Sequence, residues 1–126
     1  MNLGPVVLTV PSHPAMGRVA RLTAGAVMAV ADTSIDDLDD VKILVSEVVG
    51  ALTDHGDGSE ITLRFEIVDD VAHIDGSVAA GAIDVGSPDL ELCRTVLQAI
   101  AATHQLQLSA GRLVVTASKP LDLGER

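Results

Sequence analysis

Apolar and polar positions alternate most regularly between Ile61 and Ile67, where Ile61, Leu63, Phe65 and Ile67 are interleaved with Thr62, Arg64 and Glu66. A period of two predicts a strand with one buried and one solvated face. The pair Asp69-Asp70 marks a turn, so "SEITLRFEIVDDVAHIDGSV" reads as a hairpin. Upstream the period changes. In "IDDLDDVKILVSEVVGALTDHG" the positions Leu38, Val41, Leu44, Val45, Val48, Val49 and Leu52 form one helical stripe. Ser34, three residues before Asp37, resembles a capping box, and Gly56 is a C-terminal stop. A preceding helix is expected over "HPAMGRVARLTAGAVMAVADT", with Met16, Val19, Ala20, Leu22, Val27, Val30 and Ala31 as its apolar set.

The remaining segments complete the order. "GPVVLTVP" is an edge or first strand, β-branched and bounded by prolines. "AAGAIDVGSP" is a loop. "SPDLELCRTVLQAIAATHQ" is a helix with Ser87 as N-cap, Pro88 in its first turn and Leu90, Val96, Leu97 and Ile100 as its stripe. "LQLSAGRLVVTASKP" is two strands around "SAGR", and the tail "LDLGER" is expected to fray. Strand, helix, helix, hairpin, loop, helix, hairpin fits an α/β (α+β) two-layer sandwich: a five-stranded mixed sheet with three helices on one face. Residues 1–126 form a single domain on this reading, with no repeat and no linker.

Composition narrows the function. Hydrophobic residues make up 48% of the 126, but aromatics only 1%, Phe65 alone. The core must be aliphatic, and a nucleic-acid surface that works by base stacking lacks its platforms. The net charge of -10 disfavours DNA, RNA and anionic membranes and favours a basic patch on a protein. Cys93 is the only cysteine, which excludes an internal disulfide. The sequence opens on a strand-like segment without a basic region and apolar run, so no signal peptide is expected. The run "LTAGAVMAVA" is about half a membrane span. A cytoplasmic location is the simplest expectation.

Few residues stand out chemically. Glu47 sits in a small and apolar helical run, with His55 eight residues later. His13, His55, His73 and His104 show no metal-ligand spacing. Ser46 and Glu47 are helix neighbours and do not face each other. The acidic group Asp32, Asp36, Asp37, Asp39 and Asp40 surrounds a helix start, where negative charge is stabilising. Arg18 and Arg21 lie three apart on the first helix and share a face, an anchor for a partner's carboxylates on an acidic chain.

The order of elements, the "VP" strand end followed by "VARLTAG", the run "IDDLDDVKILVSEVVGALTDHG" and the late "LELCRTVLQAI" together resemble the RsbW-type anti-sigma factors of the histidine-kinase-like (GHKL, Bergerat) ATPase superfamily. The resemblance covers roughly Val6 to Pro120. In that family the second helix carries Glu-x-x-x-Asn and then His, and the Asn holds the Mg²⁺ of ATP. Here Glu47 matches as a catalytic remnant and His55 matches in position, although at the helix end it reads as a C-terminal cap, and Ala51 stands at the Asn position. The family's Asp-x-Gly-x-Gly segment corresponds to "IDGSVAAGAID", where Ser77 stands nearest the adenine-reading Asp. The family's phosphate-cradling segment corresponds to "GSPDL". Gly86 and Leu90 fit, while Pro88 lacks an N–H and Asp89 brings repulsion of about a few kcal/mol. The connection from Ala79 to Pro88 is short for a nucleotide lid.

The resemblance therefore implies a retained scaffold with a lost nucleotide site: a regulatory protein that binds a sigma factor, a STAS-domain anti-anti-sigma factor, or both, with no cofactor and no metal. It also implies a homodimer, and partner contacts near the first strand and helix, at Pro11, His13, Arg18 and Arg21. Two alternatives remain. One is an ATP/Mg-dependent serine kinase of a STAS-domain protein using Glu47. The other is a catalytically dead dimerisation or scaffold domain.

Overall fold

The computed structural model describes residues 1–123. Five strands and three helices follow the expected order: β1 (Leu3–Val10), α1 (Met16–Ala31), α2 (Ile35–His55), β2 (Ile61–Val68), β3 (Val71–Ala79), α3 (Glu91–Ile100), β4 (Thr103–Ser109) and β5 (Arg112–Pro120). A short 3-10 turn, Pro88–Leu90, leads into α3. The sheet order is β1-β2-β3-β5-β4, and all four ladders are antiparallel. Two-residue hairpin turns account for the β2–β3 and β4–β5 ladders, while β1–β2 and β3–β5 are brought together by longer connections that contain helices. Asp69 and Asp70 at the β2–β3 turn, and Ala110 and Gly111 at the β4–β5 turn, all have positive φ.

The alternation in β2 decides which side is covered. Ile61, Leu63, Phe65 and Ile67 are buried, as are Ala72, Ile74 and Val78 of β3 and Leu113, Val115 and Ala117 of β5. They pack under α2, whose Val41, Leu44, Val45, Val48 and Leu52 are fully buried. α2 crosses the middle of the sheet, with α1 on one side and α3 on the other. At Gly76 the helix comes so close that an added Cβ would lie 2.6 Å from Val48 Cγ1 and 2.7 Å from Leu52 Cδ1. The opposite sheet face has no helix over it and carries Thr62, Arg64, Asp75 and Ser77 in facing pairs.

Three local expectations differ from the structure. α1 buries Gly17, Ala20, Ala24, Val27, Met28 and Ala31, and leaves Val19, Leu22 and Val30 outside. Small side chains let α1 approach α2 closely, so the tight contact selects the small face over the bulky one. α3 ends at Ile100, and Thr103–Gln105 belongs to β4, where pairing with β5 outweighs helix continuation. The described part of the tail is anchored. Leu121 N–H donates to Asp70 O (2.8 Å) and Asp122 N–H to Asp37 Oδ2 (2.5 Å). The remainder of the expected frayed tail, 124–126, lies outside the described residues. No helix among the described residues is long and apolar enough to cross a membrane.

Candidate functional site

The cleft between α2 and α3 collects Glu47, Ala51, His55, Asp89 and Cys93 around a volume of about 130 Å³. Glu47 is half-buried on α2, and partial burial raises its carboxyl above the ordinary 4.5. Among the described residues no hydrogen bond or ion pair holds that carboxylate. Its backbone carbonyl accepts from Cys93 Sγ at 3.7 Å. Burial first, and the Glu47 charge second, push the Cys93 thiol up to about 11. Ala51 is buried beside them and offers no side-chain oxygen. Asp54 and Asp89 also line the cleft, and Asp89, at the approach to α3, adds negative charge where phosphates would have to lie.

The segment that would cradle phosphate is closed on itself. Gly86 N–H donates to Asp84 Oδ1 (2.9 Å), Ser87 N–H to Asp84 O (3.0 Å) and Leu90 N–H to Ser87 O (3.2 Å). Pro88 has no N–H to give. From α3 the Arg94 guanidinium donates to three carbonyls of this segment: Val85, Gly86 (3.4 Å) and Ser87 (2.9 Å). Gly86 is therefore one element of an arginine-braced turn. Arg94 had no visible role in the sequence, because its contacts depend on how the loop folds back onto α3.

Ser77 is not brought to this cleft. In β3 the helix-facing positions are Ala72, Ile74, Gly76 and Val78. Ser77 alternates to the open face, where its Oγ accepts from Arg112 Nη2 at 3.1 Å. A one-residue step along a strand reverses the face, so proximity in sequence to Asp75-Gly76 was no guide to proximity in space. Asp75 shares that open face. Partial burial raises its carboxyl above the ordinary 3.8, and Arg64 and His73 offset this in part.

A magnesium–nucleotide group does not fit these residues. The cleft is smaller than the roughly 300–1,000 Å³ of ligand pockets. The metal-binding oxygen is missing at Ala51, the N–H groups of the turn are already used, and Ser77 faces away.

A second site lies between α1 and α2 on their outer side. Arg18, Arg21, Leu22 and Lys42 line an open basin of about 430 Å³. Arg21 Nη1 donates to Ser46 Oγ (3.2 Å), and Ser46 Oγ donates back to Lys42 O (2.9 Å). Arg21 is thus held against α2. Arg18, Arg21 and Lys42 form no ion pair with any described carboxylate. Leu22 beside them is 66% exposed. The structure brings Arg18 and Arg21 together as expected and adds Lys42, which sequence separation concealed. His13 is elsewhere: its Nδ1 accepts from Ala15 N–H (3.0 Å) and starts α1 in place of a side-chain N-cap.

Asp37 and Asp40 of the acidic group at the start of α2 are engaged within the fold. Ser34 Oγ accepts from Asp37 N–H (3.2 Å), Asp37 receives the Asp122 N–H, and Asp40 pairs with Lys119 at 3.0 Å. Among the described residues no group of three or more His, Cys, Asp or Glu is placed to hold a metal ion. No protein-family model matches this chain, and no curated protein does.

Proposed function

We propose that this chain is a regulatory protein-binding domain, similar to an anti-sigma factor, that holds its partner through the outer α1–α2 surface and needs no nucleotide to do so. The observation that carries this reading is the basin of Arg18, Arg21 and Lys42 beside exposed Leu22. Three cations beside one another, in no ion pair with a described carboxylate, make a basic patch on a chain of net charge -10 and suit a carboxylate-bearing partner. An exposed apolar residue beside charged donors also has the form of an interface anchor. The braced turn at Gly86 and the small cleft at Glu47 support the nucleotide-independent part.

The proposed partners are a sigma factor and a STAS-domain antagonist. The test is affinity capture from native lysate with mass spectrometry, run with the natural chain and with R18E/R21E, each with and without Mg-ATP. The expected result is a sigma factor or STAS-domain protein captured by the natural chain, lost with the variant and indifferent to nucleotide. Equal capture by both chains excludes this surface. Capture that requires Mg-ATP excludes the nucleotide-free reading.

A further inference from the structure

β4 is an edge strand, paired only with β5. Natural sheets guard such edges with charge, proline or a bulge, because an edge strand presents unpaired N–H and C=O groups to any other strand. The opposite edge is guarded: β1 carries Pro5 and a register shift between Leu3 and Val6. β4 has neither. Its sequence, Thr-His-Gln-Leu-Gln-Leu-Ser, contains no Asp, Glu, Lys, Arg or Pro, and none of the four charged types occurs between Arg94 and Arg112. Most of the strand is exposed, including Leu108 at 39%. α3 packs against β4, and its exposed Leu92, Thr95, Gln98 and Ala99 extend the uncharged surface onto the helix layer.

We infer that the β4 edge is a self-association surface whose occupant is the β4 edge of a second copy, giving one continuous ten-stranded antiparallel sheet. Two observations select a second copy. The strand is self-complementary about Leu106: antiparallel pairing sets Leu106 against Leu106, Gln105 of one copy against Gln107 of the other, and Thr103 against Ser109. A two-fold contact of this kind closes, whereas β4 against the interrupted β1 edge would propagate into a filament. Electrostatics points the same way. Two chains of net charge -10 repel over most of their surfaces, and the stretch between Arg94 and Arg112 carries no charged side chain; residues 1–17 share this property, but there Pro5 and the register shift interrupt the β1 edge. In the single chain Gln105 Nε2 donates to Gln107 Oε1 at 3.1 Å. Both side chains are exposed and free to exchange that bond for one across the two-fold axis.

This inference is independent of the α1–α2 surface. Its test is the solution mass by light scattering at high micromolar concentration, for the natural chain, Q105K/Q107K, Q105E/Q107E and an equimolar mixture of the two variants. The expected result is twice the chain mass for the natural protein, the single mass for each variant alone and the double mass again for the mixture. A natural chain of single mass overturns the inference, as does a double mass for either variant alone, or folded variants that stay single when mixed. Should the variants not fold, hydrogen exchange on the natural chain decides. β4 amides protected more strongly at high than at low concentration support the pairing, and protection independent of concentration excludes it.

Discussion

Gly76 shows how one residue can serve packing while its sequence context suggests chemistry. Beside Asp75 it resembles part of a nucleotide motif, yet its missing side chain is what lets α2 lie on the sheet, with Val48 and Leu52 within 2.7 Å of where a Cβ would be. Gly76→Ala is expected to destabilise by about 1–3 kcal/mol, the usual cost of overpacking, as read from chemical denaturation. Ala110 presents the opposite case. It takes φ 51° in the β4–β5 turn, a conformation that an alanine adopts only at a cost. Ala110→Gly should stabilise by about 0.5–1 kcal/mol, with a corresponding rise in Tm. Asp75 supplies a pH signature. Its folded carboxyl titrates above the ordinary 3.8, because desolvation outweighs the attraction of Arg64 and His73. The folded state therefore binds more protons than the unfolded one in the window just above 3.8, and stability falls as pH rises through it. Asp75→Asn should remove that fall, so the variant gains on the parent at neutral pH and loses the advantage in acid; equal pH profiles for the two proteins would contradict this assignment.

Elements differed in how far the sequence disclosed them. α2 was legible because its buried face is built from large aliphatics at 3.6-residue spacing, and Ser34 does cap it through the Asp37 N–H. Ser34→Ala should cost about 1 kcal/mol. β2 and β3 were legible from alternation and the Asp69-Asp70 turn. α1 was legible in part: Ala20, Val27 and Ala31 of the expected set are buried, while Val19, Leu22 and Val30 are exposed because close helix packing favours Gly17, Ala20 and Ala24. Leu22 is thereby left on the surface beside Arg18 and Arg21. The first residues of β4 were hidden inside a helical reading because "AATHQ" has no periodicity of its own and acquires its state from β5. For the basin, Arg18 and Arg21 could be paired by spacing, but Lys42 joins them only through the packing of α1 on α2. R18E/R21E is expected to weaken partner binding by roughly 2 kcal/mol or more. Its unfolding midpoint should fall only slightly, because Arg18 is exposed and half-buried Arg21 loses one hydrogen bond to Ser46, worth about 1 kcal/mol.

At the scale of the whole molecule, the antiparallel sheet with its three helices positions a helical outer surface, an unguarded strand edge and a narrow cleft on different sides of one scaffold. The cleft is where the proposed nucleotide-independent function is most exposed to test. Ala51, the Gly86 turn braced by Arg94, Asp89 and the open-face placement of Ser77 each remove one contact that a phosphate, a metal or an adenine would need. Losing several contacts at once leaves little binding energy, since each tenfold in affinity corresponds to about 1.4 kcal/mol. The most direct measurement is titration calorimetry of the purified chain with ATP, with and without Mg²⁺. No saturable heat is expected, or a Kd weaker than roughly 1 mM that is indifferent to the metal. A micromolar, Mg²⁺-dependent Kd would contradict a nucleotide-independent function.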